Sequence, residues 1–379
     1  MKILLAPDSF KDSLTAKEVC ESIEKGIKNY RNDIIVNSLP MADGGEGTVQ
    51  SLVDATDGKI VNKVVTGPLG EKVEAFYGLL GNENTAVIEM ASASGLPLVP
   101  ESKRDPSKTT TYGTGELIKA ALSHNVEKII LGIGGSATTD AGVGMAQALG
   151  VEFLDQNNNE VGFGGEKLKD IKKINMKNMD QRINNVEILV ACDVDNPLYG
   201  KKGAAYVYSP QKGADQKMVE KLDNNLRHFN HVVKKQLNKN VNQIEGAGAA
   251  GGLGAGLVAF LDAELKNGIE IILDIVSFDQ KLKDVDLIIT GEGMLDEQSV
   301  YGKTPIGVAK RARKHEIPVI AIAGSLGKGV DKVLKKGIDS YFSIVDKPDS
   351  LENIINRTDK LLTEISEQII RTYMLNKQE

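Results

Sequence analysis

Cysteine is nearly absent, for the 379-residue chain carries only Cys20 and Cys192. Two thiols build neither a disulfide framework nor a cysteine zinc site, so both are read as reduced. Histidine is scarce as well. His124, His228, His231 and His315 fall on helical or helix-end sequence, and none stands in a Ser-His-Asp or transition-metal arrangement. No apolar run approaches the roughly 18 residues of a membrane span. The start, Met1-Lys2-Ile3-Leu4-Leu5-Ala6-Pro7-Asp8, meets charge too early for a secretory leader. A soluble, cytoplasmic protein without a membrane partner is expected. Positive charge is in deficit too: 46 Lys and Arg stand against 52 Asp and Glu, a formal net charge of -6. That balance disfavours nucleic acid as a partner, because such binding depends on neutralising backbone phosphates.

What is present is an apolar fraction of 41%, enough for a sizeable core, and a length that suits two domains of roughly 150 to 200 residues. The 39 glycines exceed the ordinary share, which is about 7%, and mark working loops. Residues 2 to 6 read as a buried strand. After the loop Pro7 to Ser13, Thr15 caps a helix with Glu18 completing a capping box, and Val19, Ile23, Ile27 and Tyr30 form its apolar stripe. A second strand, Ile34 to Leu39, leads through Asp43-Gly44-Gly45-Glu46-Gly47 to a helix bearing Val49, Leu52 and Val53. Lys59 to Thr66, Lys72 to Leu80 and Thr85 to Met90 break this rhythm. The turns at Gly67-Pro68-Leu69-Gly70 and Gly81-Asn82 are so short that these strands must pair antiparallel. Strand-then-helix order returns at Val285 to Thr290, Ile317 to Ala323 and Ser340 to Val345, and closes on a helix around Ile354 to Tyr373. Right-handed parallel units favour one sheet. The expected architecture is therefore α/β with two domains: residues 1–60 and 282–379 form a five-stranded parallel-sheet domain, and 61–281 form an inserted α/β domain.

In open α/β sheets ligands sit at the carboxyl ends of strands, where strand order reverses. Three polar loops converge there: Asp8-Ser9-Phe10-Lys11, Asp43 to Gly47, and Gly291-Glu292-Gly293 through Asp296 and Gln298 to Ser299. In the insert, the strand Lys128 to Leu131 feeds the glycine loop Gly132 to Gly144, whose freed amides and following helix start suit an anion. Asp193 follows the strand Val186 to Val190. Gly302-Lys303-Thr304 lacks the first glycine of a P-loop, so Lys303 is read as a lone cation. Gly132 to Ala137 and Gly246 to Gly251 spell dinucleotide fingerprints in unsuitable contexts; for the second, helix packing or a hinge is the simpler reading.

The segments Asp8 to Lys11, Asp43 to Thr48, Gly134 to Asp140, Cys192-Asp193-Val194 and Gly291 to Ser299, in that order, resemble the bacterial class I glycerate kinase family. The resemblance implies a flavodoxin-like domain carrying an insert that resembles a restriction-endonuclease-like fold. It further implies ATP-dependent phosphorylation of glycerate, usually to 2-phosphoglycerate; D-glycerate as the acceptor, Mg²⁺ as the accompanying ion and an interdomain cleft as the place are expected with it, the enantiomer staying open. Phosphoryl transfer needs carboxylates for metal and base, with cations or amides on the phosphates. The catalytic candidates are Asp193, Asp296 and Lys11, the two aspartates being also the Mg²⁺ candidates. Asp8, Ser9, Lys11, Asp43, Glu46, Glu292, Gln298, Ser299 and Lys303 are expected at the substrate, and Gly134, Gly135, Ser136, Thr138 and Asp140 at the nucleotide. Roles within the acidic set stay open, as do 3-phosphoglycerate as product and the choice of monomer or homodimer. The competing readings are an NAD(P)-dependent oxidoreductase of a small hydroxy acid and a non-enzymatic sensor of a phosphorylated metabolite.

Overall fold

The computed structural model describes residues 1–81 and 84–375, Tyr301 by its backbone alone. Asn82, half of the expected Gly81-Asn82 turn, lies outside the described residues. Contacts divide the chain into two compact units: Met1–Asp43, Gln50–Asp57 and the residues from Ile269 onward form one, Gly44–Val49 and Gly58–Gly268 the other. In chain order the strands are β1 Lys2–Leu5, β2 Ile35–Ser38, β3 Lys59–Thr66, β4 Lys72–Leu79, β5 Thr85–Glu89, β6 Lys128–Gly132, β7 Glu152–Leu154, β8 Lys173–Asn175, β9 Glu187–Ala191, β10 Glu264–Lys266, β11 Leu287–Leu295, β12 Val319–Leu326 and β13 Ser340–Ser343.

The first unit is built on a parallel sheet of order β13-β12-β11-β1-β2. Strand order reverses between β1 and β11, which makes that edge the place for a ligand. The helix Ala16–Tyr30 connects β1 to β2, and Thr15 and Glu18 form the expected capping box at its start. Its apolar face, Val19, Ile23 and Ile27, packs on Ile3, Leu5, Leu287 and Ile289. Each such side chain contributes about 1.5–3 kcal/mol by leaving water. The same helix lies against Thr358–Tyr373, and Gly26 permits the approach: a Cβ there would stand 2.3 Å from the Thr363 carbonyl oxygen. The short helices Gly268–Ile275 and Phe278–Lys281, which the sequence reading gave to the insert, pack in this unit apart from Gly268. Arg311 ties them down through Glu270, Asp274 and Asp279.

One strand is longer than its sequence implies. Expected to stop at Thr290, β11 continues to Leu295 because β12 extends beside it, pairing Met294 with Ser325 and Leu295 with Leu326. Glu292 to Leu295 are consequently strand residues rather than loop.

In the second unit the sheet runs β10-β9-β6-β5-β4-β3. Strands β5, β6, β9 and β10 are parallel, while β3 and β4 join antiparallel, as the short turns require. Glu89, Gly132 and Ala191 lie in one row across β5, β6 and β9, so three loops leave from the same carboxyl edge. The glycine-rich stretch after Gly246 enters the helix Ala249–Leu261, where Gly251 has φ +68° and a Cβ would meet the Thr138 carbonyl oxygen at 1.9 Å. These buried glycines serve close packing, not a dinucleotide.

Candidate active site

In the second unit, the segment after β6 is pinned from one side by two backbone bonds, Leu96 N–H to Gly135 O at 2.8 Å and Ala137 N–H to Ser94 O at 3.0 Å. Gly135 takes φ +74°, and both Gly134 and Gly135 are exposed. Among the described residues no acceptor takes the amide protons of Gly134, Gly135 or Ser136. Three unpartnered donors at a strand's carboxyl edge make a candidate anion cradle. This cradle is not a helix start, contrary to expectation, since the next helix begins only at Val143 and has six residues.

Asp140 and Thr138, both expected at the nucleotide, are fully buried. The Asp140 carboxylate accepts from Thr111 N at 2.8 Å, Thr111 Oγ1 at 2.8 Å, Gly142 N at 3.2 Å and Gly144 N at 3.3 Å. Burial pushes its pKa up against those donors. With its oxygens occupied, Asp140 clamps the loop to Thr111 instead of reaching a ligand.

Asp193 lies two residues beyond β9 on the neighbouring loop, exposed, its Oδ1 accepting from Gly268 N at 2.9 Å. Glu89, which the sequence reading missed, ends β5; burial raises its pKa while Oε1 accepts from Val49 N at 2.8 Å. Glu46 is exposed in this same unit, whereas Asp43 belongs to the first.

In the first unit the ends of β1 and β2 and the late part of β11 bring Asp8, Asp43 and Glu292 within electrostatic reach of one another. Burial, then repulsion from Asp43 and Glu292, pushes the Asp8 carboxyl up to about 7, although Thr304 Oγ1 donates to it at 2.7 Å and Ser9 N at 2.6 Å. Glu292 accepts from Ser299 Oγ at 2.7 Å and pairs with Lys303 Nζ at 3.2 Å. Burial raises the Glu292 pKa despite these partners. Burial alone would lower that of Lys303, but the carboxylates of Glu292, Asp296 and Asp43 together more than offset it. Lys303 is thus half of an ion pair, not the lone cation expected. Asp296 Oδ1 accepts from Gln298 N at 2.8 Å and Ser299 N at 3.2 Å, which holds the turn after β11. Gln298 and Lys11 are exposed, with the Lys11 backbone beside Gly293. Thr304, invisible as a site residue in the sequence, becomes one through its bond to Asp8.

Among the described residues no three His, Cys, Asp or Glu side chains are arranged to hold a metal ion. Single carboxylates such as Asp193 and Asp296 fit Mg²⁺, which keeps several waters and takes one or two carboxylates together with substrate phosphates. No helix among the described residues is long and apolar enough to cross a membrane.

Comparison with known proteins gives one consistent answer. The profile of the Glycerate kinase family matches residues 3–374. Glycerate kinase of Halalkalibacterium halodurans is 54% identical over 375 residues, 99% of each chain. Glycerate 2-kinase of Escherichia coli K12 is 52% identical over 352 residues, 93% of this chain and 92% of that one. A crystal structure from Salmonella typhimurium LT2, described provisionally as glycerate kinase 2, is 47% identical and matches all of both chains with a TM-score of 0.93.

Proposed function

This chain belongs to the glycerate kinase family and is a phosphotransferase, and we propose that it transfers the γ-phosphoryl group of ATP to D-glycerate, giving 2-phosphoglycerate and ADP. The observation that carries the reading is the Gly134 to Ser136 cradle, whose three unpartnered amides suit phosphate oxygens. It binds the nucleotide phosphates, and Asp193 on the adjoining loop suits the Mg²⁺ that accompanies them. Asp193 would hold that Mg²⁺, and the ion would supply positive charge against the charge that develops on the phosphates.

The first unit takes glycerate. Asp8, with a pKa near 7, is suited to accept the proton of the acceptor hydroxyl at neutral pH. As the hydroxyl oxygen bonds to phosphorus, the bond from phosphorus to the β,γ-bridging oxygen breaks, ADP leaves, and the proton passes to Asp8 Oδ. Lys303 and Lys11 offer positive charge to the carboxylate of glycerate, and Asp296 holds the turn that carries Ser299. The proposal assigns the base to Asp8, with Asp296 as a metal or positioning group.

Two finer parts complete it. The first unit is flavodoxin-like, supported by its strand order, and the second restriction-endonuclease-like. The substrates meet in a cleft between the units, as one reaction using both sets of groups requires. Small-angle scattering tests that part: an ATP analogue with glycerate should compact the protein, and an unchanged radius of gyration counts against it. Fluorescence titration tests the whole reading against an oxidoreductase. Binding of MgATP without binding of NADH is expected, and the reverse preference overturns the proposal.

A further inference from the structure

Lys212 lies on the turn Pro210–Lys212, only 2% exposed. Its Nζ donates to Ser136 Oγ at 2.7 Å and to the Thr138 carbonyl oxygen at 2.6 Å. No carboxylate among the described residues forms an ion pair with it. Among the described residues Asp140 acts on Lys212, Arg104 lies against the adjacent Gly213, and Tyr206 and Tyr208 belong to the helix Ala204–Tyr208 packed on this turn. The oxygens of Asp140 are already taken by Thr111, Gly142 and Gly144. A buried cation held by two neutral oxygens is costly to maintain. Such a charge is better explained by an anion that arrives from outside.

The hydrogen-bond directions specify how. When Lys212 is protonated its ammonium group donates and cannot accept, so Ser136 Oγ is then the acceptor of the bond between them. The serine's own proton is then left to another partner, and no acceptor among the described residues takes it. Ser136 also closes the row of unpartnered amides.

We propose that Lys212 is the positioning residue of the phosphate loop: it commits the Ser136 hydroxyl proton to an oxygen of a bound nucleotide phosphate and supplies the positive charge that the backbone amides lack. The inference rests on the reading of this loop as the nucleotide-phosphate site. Burial lowers the Lys212 pKa to about 7, and a nearby phosphate dianion raises it again. At pH 8 the free protein therefore holds Lys212 mostly neutral, and binding draws a proton from solution. At pH 6 Lys212 is protonated before and after binding.

The test is calorimetry of a non-hydrolysable MgATP analogue binding to the full chain, in two buffers of different ionisation enthalpy, at pH 6 and pH 8. Wild type should take up most of one proton at pH 8. Lys212→Gln keeps a donor for Ser136 without the charge; it should take up none, bind the analogue about tenfold to hundredfold more weakly at pH 6, and leave the KM for glycerate unchanged. Ser136→Ala should bind about tenfold more weakly and retain the uptake. Equal proton uptake or equal affinity in a folded Lys212→Gln protein overturns the inference. If that variant does not fold, wild type decides alone, and binding without uptake at pH 8 overturns it. ADP formation that depends on glycerate, together with no uptake, removes this inference and leaves the proposed function standing; no such ADP formation removes both.

Discussion

Thr304 Oγ1 donates a 2.7 Å hydrogen bond to Asp8 Oδ2, tying the first residue of the helix Thr304–Arg313 to the carboxyl end of β1. The bond steadies the carboxylate that Asp43 and Glu292 repel, and it partly counters the rise in the Asp8 pKa. Thr304 thereby sets both the aim and the proton affinity of the proposed base.

The pH dependence of turnover follows. A base must be deprotonated to act, so kcat/KM should climb as pH passes about 7, where Asp8 titrates. Thr304→Val removes a donor that favours the ionised form, so the climb should move to higher pH. Asp8→Asn should lower turnover at least about a hundredfold. A profile left in place by Thr304→Val would exclude Asp8 as the group responsible.

Stability should depend on pH through the same residue, with a definite sign. The folded pKa of about 7 lies above the unfolded value of about 3.9. The stability this group contributes is thus fully present below about pH 4 and is lost as pH rises through 7. Asp8→Asn cannot ionise, so its urea midpoint, relative to wild type, should improve between pH 5 and pH 8. A constant difference across that range would mean that Asp8 titrates normally.

How far the sequence alone reaches depends on the range of the interaction that decides each feature. The Thr15 and Glu18 capping box, the helix it opens and the tight turn from β3 to β4 are local, and their residues announce them. The end of β11 is not local: it is set by β12 running alongside to Leu326. Asp140 and Lys212 have the composition of surface groups, and only the packing of distant segments buries them. The polar loops at strand ends were readable because strand direction places them at the carboxyl edge; the saturation of Asp140 and the pairing of Lys303 with Glu292 were not, because their partners lie far along the chain.

The cradle gives a test by substitution. Gly135 holds φ +74° and a Cβ there would lie 3.4 Å from Ala91 Cβ, so conformation and not crowding is the obstacle. Gly135→Val should force the backbone away and weaken MgATP binding at least about tenfold while glycerate binding changes little. Equal losses for both ligands would remove the loop from the nucleotide site.

Asp193 and Asp296 can be probed without disturbing their turns, because an asparagine oxygen still accepts from Gly268 N, or from Gln298 N and Ser299 N. Either Asp→Asn variant should fold and lose at least about a hundredfold in turnover if its charge holds Mg²⁺ or orients the acceptor. Near-normal rates with an unaltered Mg²⁺ requirement would confine both residues to structural roles.

The most direct measurement is product analysis by ³¹P NMR after incubating the protein with ATP, Mg²⁺ and D-glycerate. The account requires 2-phosphoglycerate to appear in step with ADP and neither to form when D-glycerate is omitted. ADP release without a phosphoglycerate signal, or a product phosphorylated only at the 3-position, would contradict it.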